Sequence, residues 1–545
     1  MKKQWWKEAV AYQIYPRSFR DSNGDGVGDL RGVIQQLDYL KDLGIDVIWI
    51  CPIFESPNDD NGYDISNYRG ILQEFGTMED FDLLLKEVHK RGMKLILDLV
   101  INHTSDEHPW FIESRASKDS PKRDWYIWKD ANGGEEPNNW ESIFSGSAWE
   151  YDEETSQYYL HLFSKKQPDL NWENEEVREE LYSMVNWWLD KGIDGFRIDA
   201  ISHIKKRDGF PDLENPKKLD YVPSFDMHMN QPGIDSWLRE LSDRTFEKYD
   251  IMTVGEANGV EIEDAERWVG EENGYFDMIF QFEHLGLWDK SADGGVDVLA
   301  IKEALSRWQD GLEGIGWNAL FFENHDQPRS VSTIGNDTTY WKESSKMLGA
   351  IYFFMKGTPF IYQGQEIGMT NVHFESIEDY DDVGMKNFYY VERQKGRSKE
   401  ELMTIIRKQI RDNSRTPMQW NDGHMAGFTE GNDTWIGLNP NYKEVNVAAQ
   451  QEDKNSILSF YKSMIYLRKH HEEFVYGEFE LLHPEHETLV AYKRKLYGKE
   501  AVVYANFSDQ PLEYETDGDQ LVLSNYDLLE PDQLQPYEVR VYINS

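Results

Sequence analysis

The chain has 545 residues, 39% of them hydrophobic, which points to about two to four domains rather than one core. Lys and Arg number 57 against 100 Asp and Glu, a formal net charge of −43 that repels nucleic acid and anionic membranes and suits a neutral substrate. The single cysteine, Cys51, excludes an internal disulfide, and no run reaches the ~18 apolar residues of a membrane span, so a cytoplasmic protein is expected.

The first strand signal is VAYQIY (10–15), with no apolar leader core before it. DSNGDGVGD (21–29) follows. Oxygen-bearing side chains fall at Asp21, Asn23, Asp25 and Asp29, and Gly26 occupies the sharp turn, as a hard cation such as calcium requires. An EF-hand would end in Glu where this chain has Gly32, and a strand rather than a helix leads in. Spacing alone leaves two readings open, a metal loop and a polar turn. LRGVIQQLDYLKDLG (30–44) and MEDFDLLLKEVHKRG (78–92) read as amphipathic helices, the second capped by the preceding FGT. Further strand runs are VIWICP (47–52), KLILDLV (94–100), GFRIDA (195–200), IMTVGEA (251–257), MIFQFEH (278–284), NALFFENHD (318–326) and PFIYQGQE (359–366). Cys51, inside the second of these, reads as a buried structural side chain.

Eight strands apolar on both faces and alternating with helices predict a (β/α)₈ TIM barrel. Two intervals exceed simple crossovers, 104–172 after strand three and about 367–455 after strand eight. From about 475 the pattern changes to alternating strands. The expected division is barrel (1–103), inserted domain (104–172), barrel again (173–474) and a C-terminal antiparallel β-sandwich domain (475–545).

Barrel chemistry sits at the C-terminal strand ends. Those ends carry Asp98, Asn102 and His103, then Arg197 and Asp199, then Glu256, then His325 and Asp326. Three acids, Asp199, Glu256 and Asp326, each tail an apolar run and are costly to desolvate without a purpose. Paired carboxylates without a thiol, a serine elbow or a phosphate loop point to glycoside hydrolysis. Arg197, two residues before Asp199, lies on the same strand face and is expected to hold that carboxylate ionised.

The motifs DLVINH (98–103), GFRIDAISHI (195–204), GEA (255–257) and ENHD (323–326) resemble those of the α-amylase family, glycoside hydrolase family thirteen. The resemblance runs along essentially the whole chain. QPDLNW (167–172), NGYDISNY (61–68), GSAW (146–149) and RTPMQW (415–420) are similar to its oligo-1,6-glucosidase and α-glucosidase subfamily. It implies Asp199 as nucleophile, Glu256 as acid/base and Asp326 as transition-state stabiliser. His103, Arg197 and His325 would line the glucose subsite, with Phe163 as an aromatic wall. Asp60, Tyr63 and Arg411 would close its non-reducing end and make the enzyme exo-acting, although Arg415 lies close to Arg411 in sequence. A structural Ca²⁺, or Mg²⁺, would be held by Asp21, Asn23, Asp25 and Asp29 and by the Val27 carbonyl. After the nucleophile, α-1,6 enzymes of the subfamily carry Val and α-1,4 enzymes Ala or Thr. Ala200 and Asn258 are similar to the α-1,4 type.

The resemblance thus implies a retaining exo-α-glucosidase acting on short α-1,4-linked oligosaccharides such as maltose, with transglucosylation open, as a monomer or homodimer. The alternatives are an oligo-1,6-glucosidase, a trehalose-6-phosphate hydrolase using the basic HIKKRD run (203–208), and sucrose-converting relatives. A non-catalytic binding relative would have lost the acids that this chain keeps.

Overall fold

The computed structural model describes residues 2–287 and 296–544. Eight parallel strands form its centre: β1 (Ala11–Ile14), β2 (Val47–Ile50), β3 (Lys94–Val100), β4 (Gly195–Asp199), β5 (Met252–Glu256), β6 (Met278–Phe280), β7 (Ala319–Leu320) and β8 (Thr358–Tyr362). They neighbour one another in the order β6-β5-β4-β3-β2-β1-β8-β7, and a parallel bridge from Ile279 to Asn318 joins the two ends. The sheet is therefore a closed (β/α)₈ barrel. Each predicted run overlaps one strand, β8 beginning one residue before its run at Thr358. The run GFRIDA stops at Asp199 because Ala200 turns out of the sheet with a left-handed φ of 45°.

Aromatic side chains fill the barrel. Trp49 lies 5.5 Å from Phe280 and 6.2 Å from Phe360, and Phe280 lies 4.9 Å from Phe321, ring centre to ring centre. This layer lies against the site: the Trp49 indole donates to Asp98, and its ring packs edge-on against His325. The segment 30–44 is two helices rather than one, α1 (Leu30–Gln35) and α2 (Leu37–Leu43). Gln36 leaves helical geometry with φ −104° and ψ 4°, and its N–H turns to the Val33 and Ile34 carbonyls. α3 (Met78–Lys90) begins with a reciprocal cap between Thr77 and Asp80.

Two excursions cover the barrel mouth. In the first, Trp128–Lys129, Gln157–Leu160 and Trp149–Asp152 form a three-stranded antiparallel sheet. Trp140–Glu141 pairs instead with Val222–Pro223 from the segment after β4, a pairing outside the expected division. The second carries the hairpin α4 (Val383–Gln394) and α5 (Lys399–Gln409), with a small core of Ile377, Tyr380, Leu402 and Ile406. It delivers Arg411 to the mouth.

The last barrel helix, α6 (Ile457–His470), leads to a five-stranded antiparallel sheet. Val490, Tyr492, Val503 and Val541 face the barrel core. Ala491, Val502, Tyr504 and Tyr542 face the short pair Leu512–Glu513 and Gln533–Leu534, which completes a sandwich. Buried Arg494 joins the two domains by donating to the carbonyls of Phe354 at 2.6 Å and Gly477 at 2.7 Å. Among the described residues no helix is long and apolar enough to cross a membrane.

Candidate active site

Strand register builds the centre of the site. Arg197 on β4 stands opposite Asp98 on β3, and alternation puts Asp199 on the same inward face. The buried guanidinium then binds three carboxylates. Its Nη1 reaches Asp98 at 2.8 Å and Asp199 at 2.6 Å, and its Nη2 reaches Glu256 at 2.6 Å. Asp98 is anchored further by the Tyr63 hydroxyl at 2.9 Å and the Trp49 indole at 3.2 Å. Glu256 also accepts the Ala200 backbone N–H at 3.0 Å.

One positive charge does not neutralise three acids out of water, so Asp98 and Asp199 hold their protons more tightly than exposed carboxylates do. Burial pushes Asp98 up to about 6 despite the neighbouring guanidinium. Burial also pushes Asp199 well above the usual carboxylate range; Arg197 draws it back, and Glu256 and Asp98 oppose that pull. Arg197 therefore only partly offsets the effect of burial on Asp199, which the sequence alone had led us to expect fully ionised. A positive centre arriving beside Asp199 would complete its ionisation.

Asp326, beyond β7, has the opposite environment. It meets Arg415 at 2.9 Å, His325 at 3.1 Å and Arg411 at 3.4 Å. Burial pushes its carboxyl up, but His325, Arg411 and Arg415 outweigh that and hold it well below the usual range. Burial pushes His325 itself down to about 3, so the lasting positive charge at neutral pH is on the two arginines. Gln13 Nε2 sits 2.8 Å from His325 Nδ1. An amide nitrogen donates, so the imidazole proton is on Nε2. That Nε2 faces the Asp326 carboxylate at 3.1 Å, while Arg415 Nη1 is buried without a hydrogen-bond partner.

Arg411 closes one end of the pocket. It reaches Asp60 at 3.1 Å and Asp382 at 2.8 Å, and its guanidinium lies 5.0 Å over Phe144. Asp382 also caps α4 by accepting Gly384 N–H at 2.9 Å, so α4 and Arg411 share one anchor. Gln167 donates to Asp60 at 3.1 Å and lies 3.2 Å from His103 Nε2, which donates to the Tyr63 carbonyl at 3.0 Å. The Tyr63 ring stacks on His325 at 5.1 Å, and the Phe163 ring stands 5.0 Å from His103. Asp60, Tyr63, His103, Phe163, Arg197, Asp199, Ala200, Glu256, His325, Asp326 and Arg411 thus belong to one contiguous network. Sequence reasoning had placed Asp98 at a strand end without a role, had named Arg415 only as a neighbour of Arg411, and had not assigned Gln167 or Asp382. Asp98, Gln167 and Arg415 lie inside quoted motifs; Asp382 has no local signal.

The loop 21–29 lies apart, against residues 428–435. Asp21 accepts N–H groups from Asn23, Gly24 and Gly26 at 2.8–2.9 Å and the Thr429 hydroxyl at 2.5 Å. Asp25 accepts Val27 N–H at 2.9 Å, and Asp29 caps α1 through Gly32 N–H at 2.7 Å. The donor set, all oxygen, fits a hard cation. Each carboxylate is also engaged within the fold, and among the described residues no three His, Cys, Asp or Glu are grouped so as to hold a metal ion.

The basic run 203–208 is largely neutralised. Lys205 pairs with Glu173 at 2.5 Å and Asp208 at 3.0 Å, and buried Lys206 pairs with Asp169 at 2.7 Å.

Comparison with known proteins agrees with this geometry. Residues 13–477 match the family described as alpha amylase, catalytic domain. A Bacillus subtilis (strain 168) protein named "Probable oligo-1,6-glucosidase 3" is 62% identical over the full length of both chains. The crystal structure of Bacillus licheniformis trehalose-6-phosphate hydrolase is 45% identical, with a TM-score of 0.92 over 99% of this chain and 100% of that one. Isomaltulose synthase from Klebsiella sp. LX3 is 42% identical, with a TM-score of 0.95 over the whole of both chains. The closed barrel, the acids at its mouth and these matches lead to one assignment: the chain belongs to the α-amylase family and is a glycoside hydrolase.

Proposed function

We propose an exo-acting, retaining α-glucosidase that releases α-glucose from the non-reducing end of short α-linked gluco-oligosaccharides, with α-1,4 bonds preferred. The observation that carries the exo reading is the Asp60–Arg411–Asp326 network. Two guanidinium contacts at 3.1 and 3.4 Å tie Arg411 across one end of the site, beside Asp60 and Asp326. In this reading Asp199 attacks the anomeric carbon as Glu256 gives its proton to the departing oxygen. Glu256 then takes a proton from water, which displaces Asp199 from the same face the leaving group used. Ionised Asp326 faces the positive charge developing on the sugar. One guanidinium binding both Asp199 and Glu256 favours the close spacing of a retaining pair over the ~6.5–9.5 Å of an inverting one. Initial rates on maltose, isomaltose, sucrose, trehalose and trehalose-6-phosphate test the substrate; a preference for any but maltose overturns the α-1,4 assignment.

The main competitor is α-1,6 cleavage, favoured by the name of the Bacillus subtilis relative. Ala200 argues the other way. Its methyl is the smaller side chain next to the nucleophile, whereas Val would add two carbons and be stiff at χ1. Ala200→Val is expected to move the maltose-to-isomaltose ratio of kcat/KM toward isomaltose by about ten- to two-hundredfold. A β-branched side chain at a φ of 45° is also strained, so the variant should melt lower. The ratio is independent of the amount of folded enzyme; an unmoved ratio removes Ala200 as selector. A phosphosugar substrate is disfavoured by the pairing of Lys205 and Lys206. The single cysteine, buried as Cys51, suits a reducing cytoplasm.

For the loop 21–29 we propose Ca²⁺, held by Asp21, Asn23, Asp25 and Asp29 and the Val27 carbonyl, as a clip remote from the reaction. Asp21→Ala alone is ambiguous, because it also removes four hydrogen bonds. The sharper expectation is that millimolar Ca²⁺ raises the Tm of wild type above its value in chelator, and that Asp25→Ala abolishes this difference while kcat stays near normal. A wild-type Tm indifferent to chelator contradicts the clip, and a larger response to Mg²⁺ reassigns the ion.

A further inference from the structure

Beside the strand ends lies a polar chain that the proposed reaction does not use. Ser224, His228 and His203 are buried, and Asn258 stands two residues beyond Glu256. Ser224 Oγ donates to the Glu141 carbonyl at 3.0 Å, a group that only accepts. The hydroxyl has one proton, so in its 3.2 Å contact with His228 Nε2 the nitrogen is the donor. His228 Nδ1 is then bare. The two imidazoles meet Nδ1 to Nδ1 at 2.9 Å with one proton between them, and it belongs to His203. His203 Nε2 is consequently an acceptor, and it faces Asn258 Nδ2 at 3.5 Å. Burial drives His203 down to about 3 and His228 well below its ordinary value, so neither takes the second proton that would break this order.

The location gives the chain a use. Asn258 lies in the turn just beyond the Glu256 end of β5, and its amide reaches toward His203. His203 follows Ala200, whose N–H binds Glu256. The Phe163 ring lies 5.0 Å from His103 on the glucose side and 6.2 Å from His203 on the other. We propose that Ser224 and His228 are positioning residues of the leaving-group subsite. Through the tautomer of His203 they hold the Asn258 amide with Nδ2 turned inward, which leaves Oδ1 on the opposite edge to accept a hydroxyl of the departing sugar. The proposal rests on the reaction above, because Glu256 marks where that sugar leaves.

The test is a double-mutant cycle with a spectroscopic arm. Ser224→Ala is expected to lower kcat/KM about five- to tenfold on whichever disaccharide wild type cleaves fastest. The same variant should stay within twofold on 4-nitrophenyl α-glucoside, whose leaving group has no hydroxyl to donate. Asn258→Ala should show the same loss, and the double variant no more than either alone. Ser224→Thr keeps the hydroxyl and should keep the disaccharide rate. In ¹⁵N-histidine NMR of wild type, His203 Nε2 and His228 Nδ1 should be the unprotonated nitrogens. Equal losses on both substrates, additive losses or the opposite tautomers would overturn the proposal. If wild type cleaves neither substrate, the glucosidase reading fails, while the tautomers still decide the relay.

Discussion

Asp199→Asn is expected to lower kcat on 4-nitrophenyl α-glucoside by on the order of 10⁴-fold or more, because it removes the covalent partner on which both steps depend. Glu256→Gln should cost about 10²–10⁴-fold on a disaccharide and much less on the nitrophenyl substrate, whose leaving group departs with little help from an acid. Azide separates the roles by product stereochemistry. With Asp199→Gly it would enter from the vacated nucleophile face and yield β-glucosyl azide. With Glu256→Gly it would attack the glucosyl-enzyme from the leaving-group face and yield the α-azide. The two outcomes exchanged would reverse the assignments. The fold survives both isosteric changes because Asn and Gln still accept from Arg197 through their amide oxygens.

Arg197→Leu should have the largest effect on stability. The side chain is fully buried and holds Asp98, Asp199 and Glu256 at 2.6–2.8 Å. Its loss leaves uncompensated buried carboxylates, a cost of about 3–5 kcal/mol. The pH dependence gives the sign. Without the guanidinium, Asp98 and Asp199 rise further above their unfolded values. A carboxyl raised in the folded state contributes stability below its unfolded value and loses it as pH climbs through the folded one. The Tm gap between wild type and variant should therefore be wider at pH 7 than near pH 4. A gap that is constant, or wider in acid, would mean that packing against Trp49 rather than charge is what Arg197 supplies.

Several features of the site could be read from local pattern. Apolar runs on both faces marked the eight strands, and alternation put Arg197 and Asp199 on one face. Thr77 announced the start of α3. What escaped depends on contacts between distant residues. Gln36 breaks a segment whose apolar spacing is helical throughout. The choice between Arg411 and Arg415 had no local answer, because both reach Asp326. Asp382, which fixes Arg411, lies 29 residues upstream on a helix cap. The meeting of His203 with His228 depends on a segment that folds back onto the short strand Trp140–Glu141 of the inserted region, a parallel pairing with no sequence signature. The turn at Ala200 is likewise invisible in composition, since alanine seldom adopts positive φ.

The most direct test of the proposed double displacement is the anomeric form of the first sugar released. Proton NMR of wild type with maltose, recorded before mutarotation, is expected to show α-glucose rising first and β-glucose following only at the solution rate. β-Glucose appearing first would contradict a covalent role for Asp199 and recast the Asp199–Glu256 pair as an inverting one.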